Sequence, residues 1–225
     1  MRDILNHLVD IVIPAHNEQD TISGVVLAAA DARKHRKIFV IADDCTDQTV
    51  TNAARAGAEV IEVNWHNKGS AMATGLDYVQ TSHVCFLDGD LHGLTGEHVA
   101  SLINPRNAHV IGLRDGAIKK WSYGLPLPKI AGERTLPTEV ARNAGLFGSG
   151  YQAEMRINLE TSKAHLPTLY VLMHGCDHRQ MDDKWGFKQS IKPDLDRWLR
   201  VGTGTIRYLS RIRSGQRSTP TAPNS

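Results

Sequence analysis

Short apolar runs alternate with amphipathic segments through the first half of this chain. Buried strands are predicted at residues 8–13, 38–42, 59–63 and 83–87. Helices are predicted between them, at residues 21–33, after a capping segment at residues 46–49, and at residues 68–80. Strands separated by helices of about 12 residues are typical of βαβ units. The pattern therefore predicts an α/β domain with a parallel sheet.

The second half of the chain is less regular. Further helices are predicted at residues 97–103 and 150–165, and further strands at residues 109–113 and 168–173. Residues 115–130 mix glycine, proline and apolar residues and are predicted to form a long loop, a feature that often serves as a functional lid. These elements predict a main domain at residues 1–185, a helical extension at residues 186–213 and a disordered tail at residues 214–225.

Polar clusters follow the predicted strands of the first half. They lie at residues 14–18, 43–47, 64–69 and 88–92. Ligands of parallel sheets bind beyond the carboxyl ends of the strands, and these ends share one edge. Four polar clusters at one edge favour a single binding site over four unrelated turns.

Composition narrows the class of protein. The chain has 225 residues, of which 41% are hydrophobic and 22% charged, and this suits one globular domain. A formal net charge of +2 argues against a broad nucleic-acid-binding surface. The three cysteines are widely spaced, and the first residues have no long apolar stretch, so a reducing cytoplasm is the expected location.

Asp88-Gly89-Asp90 is the most informative short segment, because it follows directly on a predicted strand. Two carboxylates at the open end of a sheet are hard oxygen ligands that suit Mg²⁺ or Mn²⁺. Such ions commonly carry a diphosphate. The same triplet is also ordinary turn chemistry, so its meaning depends on the rest of the chain.

Several segments together carry a family resemblance. Four of them, in chain order, are VDIVIPAHNE at residues 9–18, VIADDCTDQT at 40–49, NKGSAM at 67–72 and FLDGDL at 86–91. In order and spacing they resemble the motifs of family 2 glycosyltransferases with the GT-A fold. Three later segments, GERTLP at 132–137, GSGYQAE at 148–154 and DHR at 177–179, are similar to the branch that includes glucosyl-3-phosphoglycerate synthase and the dolichyl-phosphate sugar synthases.

The resemblance implies both a fold and an activity. The fold would be a single Rossmann-like GT-A domain, with a mostly parallel central sheet flanked by helices and a C-terminal helical tail. The activity would be the metal-dependent transfer of a sugar from a nucleotide-sugar to a hydroxyl acceptor. The resemblance favours a UDP-sugar over a GDP-sugar, with Mg²⁺ or Mn²⁺ as the cofactor.

The resemblance also implies which residues bind the donor. Pro14, Ala15 and Glu18 would face the base and ribose, and Asp43 would accept a hydrogen bond from the base. Lys68 would support the nucleotide or its phosphates at a helix N-terminus. Asp88 would hold the nucleotide ribose and the ion. The alternative for Glu18 is an acid in the first turn of a helix, favoured by the helix dipole, and the alternative for Lys68 is a solvated lysine.

The metal site would comprise Asp88, Asp90 and a late histidine. His178 is favoured because it follows a predicted strand and matches the late metal histidine of the family that the chain resembles. His174 stays open as the competing ligand. A zinc site at Cys176 and His178 would lack a second pair of ligands.

Catalysis would depend on Asp90, Glu154 and Arg134. An inverting enzyme needs a carboxylate base near the acceptor, for which Glu154 is preferred over Asp177. In a retaining enzyme Glu154 would only orient the sugar or the acceptor. Arg134 would bind an anionic acceptor or the diphosphate, with a surface arginine as the alternative.

Other functions and partners stay open from the sequence. A nucleotidyltransferase on a related fold is disfavoured, because residues 14–18 lack the glycine-rich loop with an arginine that such enzymes carry. A nucleic-acid-binding or nucleic-acid-modifying protein is the third hypothesis. The arginine-rich tail would allow weak peripheral membrane contact, although packing on the domain is preferred. A homodimer is also left open.

Overall fold

A mostly parallel sheet of seven strands organises the chain. The computed structural model describes residues 8–103, 107–115 and 131–178. The strands are β1 Val9–Ala15, β2 His35–Asp43, β3 Glu59–Val63, β4 His83–Phe86, β5 Leu91–His92, β6 His109–Arg114, β7 Arg134–Pro137, β8 Thr168–Met173 and β9 Asp177–His178. The helices are α1 Ile22–Asp31, α2 Thr49–Arg55, α3 Lys68–Tyr78, α4 Gly96–Leu102, α5 Thr138–Asn143 and α6 Ala153–Lys163.

The strand order in the large sheet is β3-β2-β1-β4-β7-β6-β8. β1 runs parallel to both β2 and β4, and β6 runs parallel to β8. β7 is antiparallel to both of its neighbours, β4 and β6. β5 and β9 form a separate two-stranded sheet. The prediction of a mostly parallel α/β sheet is therefore confirmed, whereas β5, β7, β9 and α5 were not predicted.

Alternating side chains of the buried strands supply two apolar layers, one on each face of the sheet. Ile11 and Ile13 of β1 point to the face that packs on α1 and α4. Val12 points to the opposite face, where α3, α5 and α6 pack. Because both faces are covered, β1 is an unbroken apolar run apart from Asp10, and this explains why it was recognisable from the sequence.

Several predicted boundaries differ from the structure. β1 continues through Pro14 to Ala15 instead of ending at Ile13. The helix predicted at residues 150–165 is a 3₁₀ turn, Gly150–Gln152, followed by α6. Residues 116–130 of the loop predicted at residues 115–130, and the tail beyond residue 178, lie outside the described residues. The predicted domain boundaries therefore stay predictions. Within the described part of the chain, no helix is long and apolar enough to span a membrane.

Candidate active site

The turn at Asp88-Gly89-Asp90 packs directly on the C-terminal end of β1. A Cβ atom on Gly89 would lie 3.2 Å from the Cβ of Ala15 and 3.3 Å from the carbonyl oxygen of Pro14. The hydroxyl of Thr21, at the start of α1, donates to the Gly89 carbonyl oxygen at 2.7 Å. Two of the polar clusters that the sequence placed at one edge of the sheet are therefore in contact.

The two-stranded sheet brings the predicted metal ligands together. Leu91 of β5 is paired with His178 of β9, so the histidine lies beside the residue that precedes Leu91. One ligand atom from each of Asp88, Asp90 and His178 lies within 4.8 Å of the other two. The distance from His178 Nδ1 to Asp90 Oδ1 is 3.7 Å. Two carboxylates and an imidazole in this arrangement suit Mn²⁺ or Mg²⁺.

His174, the competing ligand, lies apart from this cluster. Its Nδ1 atom is 3.4 Å from Asp115 Oδ1, and its side chain is 70% exposed. Of the two histidines, only His178 is paired with the strand that follows Asp90. The geometry therefore favours His178 as the third ligand.

Lys68 connects Asp88, one of the predicted metal ligands, to Glu154, the predicted catalytic carboxylate. Its Nζ atom donates to Asp88 Oδ1 at 2.7 Å and to Glu154 Oε1 at 2.8 Å. Burial alone would lower the pKa of Lys68, but the charges of Asp88 and Glu154 outweigh it and raise the pKa. Burial would likewise raise the pKa of Asp88, but Lys68 and Arg114 hold it well below its usual range. The site therefore contains an ammonium shared by two carboxylates.

Asp43 fixes the backbone of the loop that leads to Lys68. Its Oδ1 atom accepts hydrogen bonds from the backbone amides of Trp65 and His66 at 2.6 and 2.9 Å, and its Oδ2 atom accepts one from Asn67 at 2.8 Å. The Asn67 side chain in turn accepts from the amide of Ser70 and caps α3. In this structure Asp43 holds the loop that leads to Lys68, and its contact with the base stays a prediction.

Arg134 is completely buried, which corrects the alternative of a surface arginine. Its guanidinium donates to the carbonyl oxygens of Ala131 and Glu154 and to Asn158 Oδ1. The side chain therefore braces the first turn of α6, which carries Glu154. The predicted contact of Arg134 with an anionic acceptor or the diphosphate stays a prediction.

Sequence reasoning missed Arg114 as a residue of this site. It ends β6, and its Nε atom lies 3.1 Å from Oε2 of the fully buried Glu133. Burial raises the pKa of Glu133, and the nearby Arg114 only partly opposes this effect. A charged residue directly after the apolar run at residues 109–113 was the available signal.

The backbone of Gly132 packs closely against the Asp88 carboxylate. A Cβ atom at this position would lie 2.2 Å from Asp88 Oδ2. We expect Gly132→Ala to displace Asp88 and to weaken metal-dependent nucleotide binding by about 100-fold, because an error of about 1 Å has that effect in active sites. Isothermal titration calorimetry with Mn²⁺ and UDP measures this change.

Gly24→Ala is the matched control for Gly132→Ala. Gly24 lies within α1, where an added Cβ meets no described heavy atom within 4 Å. We expect it to leave binding unchanged and to stabilise the helix slightly. Unaltered binding in Gly132→Ala would show that the position of Asp88 does not matter.

A comparison of sequences assigns the family. The model of the family described as "Glycosyl transferase family 2" matches residues 10–146, which include all of β1 except Val9, the segment at residues 40–49, Lys68 and the Asp88-Gly89-Asp90 turn. The chain belongs to glycosyl transferase family 2. The resemblance carried by the four early motifs is thereby confirmed.

Relatives and solved structures agree with this assignment. The chain is 30% identical over 100 residues to 4,4'-diaponeurosporenoate glycosyltransferase from Staphylococcus aureus, a match that covers 42% of this chain and 27% of that relative. Glucosyl-3-phosphoglycerate synthase from Mycobacterium tuberculosis, solved with Mn²⁺, UDP and phosphoglyceric acid, has a similar fold. It aligns with a TM-score of 0.66 and 23% identity over 85% of this chain and 78% of that chain.

A second structure of that synthase, with Mg²⁺ and UDP, aligns with a TM-score of 0.66 and 22% identity over 88% of this chain and 83% of that chain. At this level of identity the likeness shows the fold, and it confirms the predicted GT-A domain.

Proposed function

We propose that this family 2 protein transfers a sugar from a UDP-sugar to a hydroxyl group of an acceptor, with Mn²⁺ or Mg²⁺ bound. The observation that carries the proposal is the convergence of Asp88, Asp90 and His178 with the Lys68–Glu154 pair at one edge of the sheet. Family membership supports sugar transfer. The structures of similar fold that contain UDP with Mn²⁺ or Mg²⁺ support the choice of donor and ion.

The contacts of the site support roles for its residues on the donor side. Asp88, Asp90 and His178 would hold the ion, which supplies Lewis-acid stabilisation of the departing diphosphate. Lys68 would keep Asp88 ionised and in place, since its ammonium contacts that carboxylate. Pro14 and Ala15 end β1 and Glu18 lies between β1 and α1, where the three residues would face the base and ribose. Asp43 and Arg134 would act indirectly, by holding Lys68 and α6.

Glu154 would act on the acceptor side. It lies in the first turn of α6, is 5% exposed, and shares the Lys68 ammonium with Asp88. It would remove the proton of the attacking hydroxyl in an inverting reaction, or orient the substrates in a retaining one. The anomeric configuration of the product, measured by proton NMR, distinguishes these two roles.

Ligand-dependent thermal stability tests the proposal directly. The protein is melted with UDP, GDP, UDP-glucose or GDP-mannose, each with and without Mn²⁺. A ligand that binds only the native state adds about 2.7 kcal/mol at 100 times its Kd. We expect a rise in melting temperature that needs both a uridine nucleotide and the ion.

Two results would contradict this proposal. A rise with guanosine nucleotides alone would replace the donor with a GDP-sugar. No rise with any ligand would place Asp88 and Asp90 among ordinary turn residues. Neither the nucleotidyltransferase nor the nucleic-acid hypothesis gains support from the family assignment. Peripheral membrane contact through the tail and a homodimer stay predictions, because they depend on residues or partners that the structure does not describe.

A further inference from the structure

One side-chain oxygen joins the start of α3 to the segment that leads into α6. Asn67 Oδ1 accepts a hydrogen bond from the amide of Ser70 at 3.0 Å and another from the amide of Gly150 at 3.0 Å. The first bond caps α3, and the second reaches the 3₁₀ turn that precedes α6. Lys68 is the next residue after Asn67, and Glu154 is in the first turn of α6. Asn67 therefore links the two segments that carry the Lys68–Glu154 pair.

Further contacts fit the same two segments together. Ser70 Oγ accepts a hydrogen bond from the amide of Gly148 at 2.9 Å. A Cβ atom on Gly69 would lie 2.6 Å from the carbonyl oxygen of Leu146, so the segments pack with their backbones in contact. Gly148 and Gly150 have φ angles of 71° and 53°, in the left-handed region that glycine adopts without strain. The backbone that leads into α6 therefore follows a path set by the start of α3.

The ion pair between Lys68 and Glu154 does not by itself fix the position of the carboxylate. A lysine side chain is long and flexible, and this ammonium also contacts Asp88. Asn67 is anchored to the backbone on both sides. Its amide donates to Asp43 Oδ2 at 2.8 Å, at the end of β2, while its side chain holds the turn before α6. Asn67 thus connects the central sheet to the helix that carries Glu154.

We propose that Asn67 is a positioning residue for sugar transfer, which places the Glu154 carboxylate where it meets the attacking hydroxyl group. This inference rests on the proposed function. A reacting group that is misplaced by about 1 Å can slow catalysis about 100-fold. The cluster of Asp88, Asp90 and His178 lies on other segments of the chain. We therefore expect loss of the contact between Asn67 and the turn before α6 to lower the rate of transfer and to leave donor affinity unchanged.

Asn67→Ser separates this role from helix capping. Serine caps a helix about as well as asparagine does, but its side chain is too short to reach the amide of Gly150 from the same backbone position. The rate is measured as release of UDP from UDP-glucose with Mn²⁺ and with water as the acceptor, so that no identified acceptor is needed. The bond from the anomeric carbon to the diphosphate breaks, water supplies the new oxygen on the sugar, and its proton passes to solvent.

We expect kcat for UDP release by Asn67→Ser to fall about tenfold, because the turn before α6 is loosened but stays in place. The affinity for UDP with Mn²⁺, measured by isothermal titration calorimetry, and the melting temperature should both stay unchanged. Asn67→Asp is the conservative variant, because it keeps an acceptor oxygen for both amides and a carboxylate is favourable at a helix N-terminus. We expect it to release UDP at nearly the wild-type rate.

Arg142→Met is the matched control, because Arg142 Nη2 donates to the carbonyl oxygens of Leu76 and Val79 at the opposite end of α3. We expect a lower melting temperature and unchanged UDP release. Normal release by Asn67→Ser, a matching loss of its UDP affinity, slow release by Asn67→Asp or slow release by the control would each overturn the inference. So would a wild type that binds UDP with Mn²⁺ but releases none from UDP-glucose. A wild type that does not bind UDP with Mn²⁺ contradicts the proposed function itself.

Discussion

Asp90→Asn is expected to slow sugar transfer on the order of a thousandfold, with little change in the melting temperature of the ligand-free protein. The substitution removes a charged ligand from the cluster of Asp88, Asp90 and His178. Weakened stabilisation of the leaving diphosphate by about 4 kcal/mol corresponds to that factor. The Asp90 side chain is 25% exposed, so little folding energy depends on it. Steady-state transfer rates across a Mn²⁺ titration measure the effect.

Substitutions of the two histidines provide a test of the metal site and its matched control. His178→Ala is expected to raise the Mn²⁺ concentration needed for half-maximal activity by at least about tenfold, because it removes a ligand. His174→Ala changes the same residue type four positions earlier, in a side chain that is 70% exposed. We expect it to leave the titration unchanged. Equal effects of the two variants, or normal transfer by Asp90→Asn, would refute the assigned metal site.

Lys68→Met is expected to destabilise the protein by about 3 kcal/mol at neutral pH, because it leaves the buried Glu154 and the partly buried Asp88 without their shared cation. For a domain of this size, that loss corresponds to a fall in melting temperature of about 10 °C. We also expect metal-dependent donor binding to be lost, since Asp88 is no longer held in place. Calorimetric melting measures the first effect, and titration with Mn²⁺ and UDP measures the second.

The pH dependence separates this explanation from simple loss of packing. In the wild type the pKa of Asp88 lies below its unfolded value of 3.8, so its stabilising contribution is present above pH 3.8 and is lost at lower pH. Without Lys68, the effect of burial on Asp88 is opposed only by Arg114 and His178, so we expect the pKa of Asp88 in the folded state to be higher than in the wild type. The loss of unfolding free energy in Lys68→Met, relative to the wild type, should therefore be largest at neutral pH and should shrink as the pH falls towards 4. A deficit that does not change with pH would refute the charge-based explanation.

Lys163→Met serves as the control for Lys68→Met. Lys163 also pairs with a glutamate, Glu160, at 2.6 Å, but its side chain is 61% exposed. Exposed pairs contribute about 0–1 kcal/mol, so we expect almost no change in stability and none in donor binding. A loss as large as that of Lys68→Met would show that burial is not what makes the Lys68 contacts important.

The elements of the first half were predictable because their signals are local. The apolar runs of β1 and β2 and the helical spacing of α1 each arise within a single segment, and both faces of the sheet are covered. The four early motifs contain Asp88, Asp90 and Lys68. From these features alone, the mostly parallel α/β fold, the family and the edge of the sheet that carries the site were all predicted.

Only the tertiary structure decided how distant residues combine. β7 is a short strand beginning with a buried arginine, and only its pairing between β4 and β6 stabilises it. The pairing of β5 with β9 favours His178 over His174 as a ligand. Lys68 and Glu154 are 86 positions apart, and nothing near either residue indicates their contact. These features depend on long-range pairing and on the burial of charge, and neither leaves a periodic signal in the local sequence.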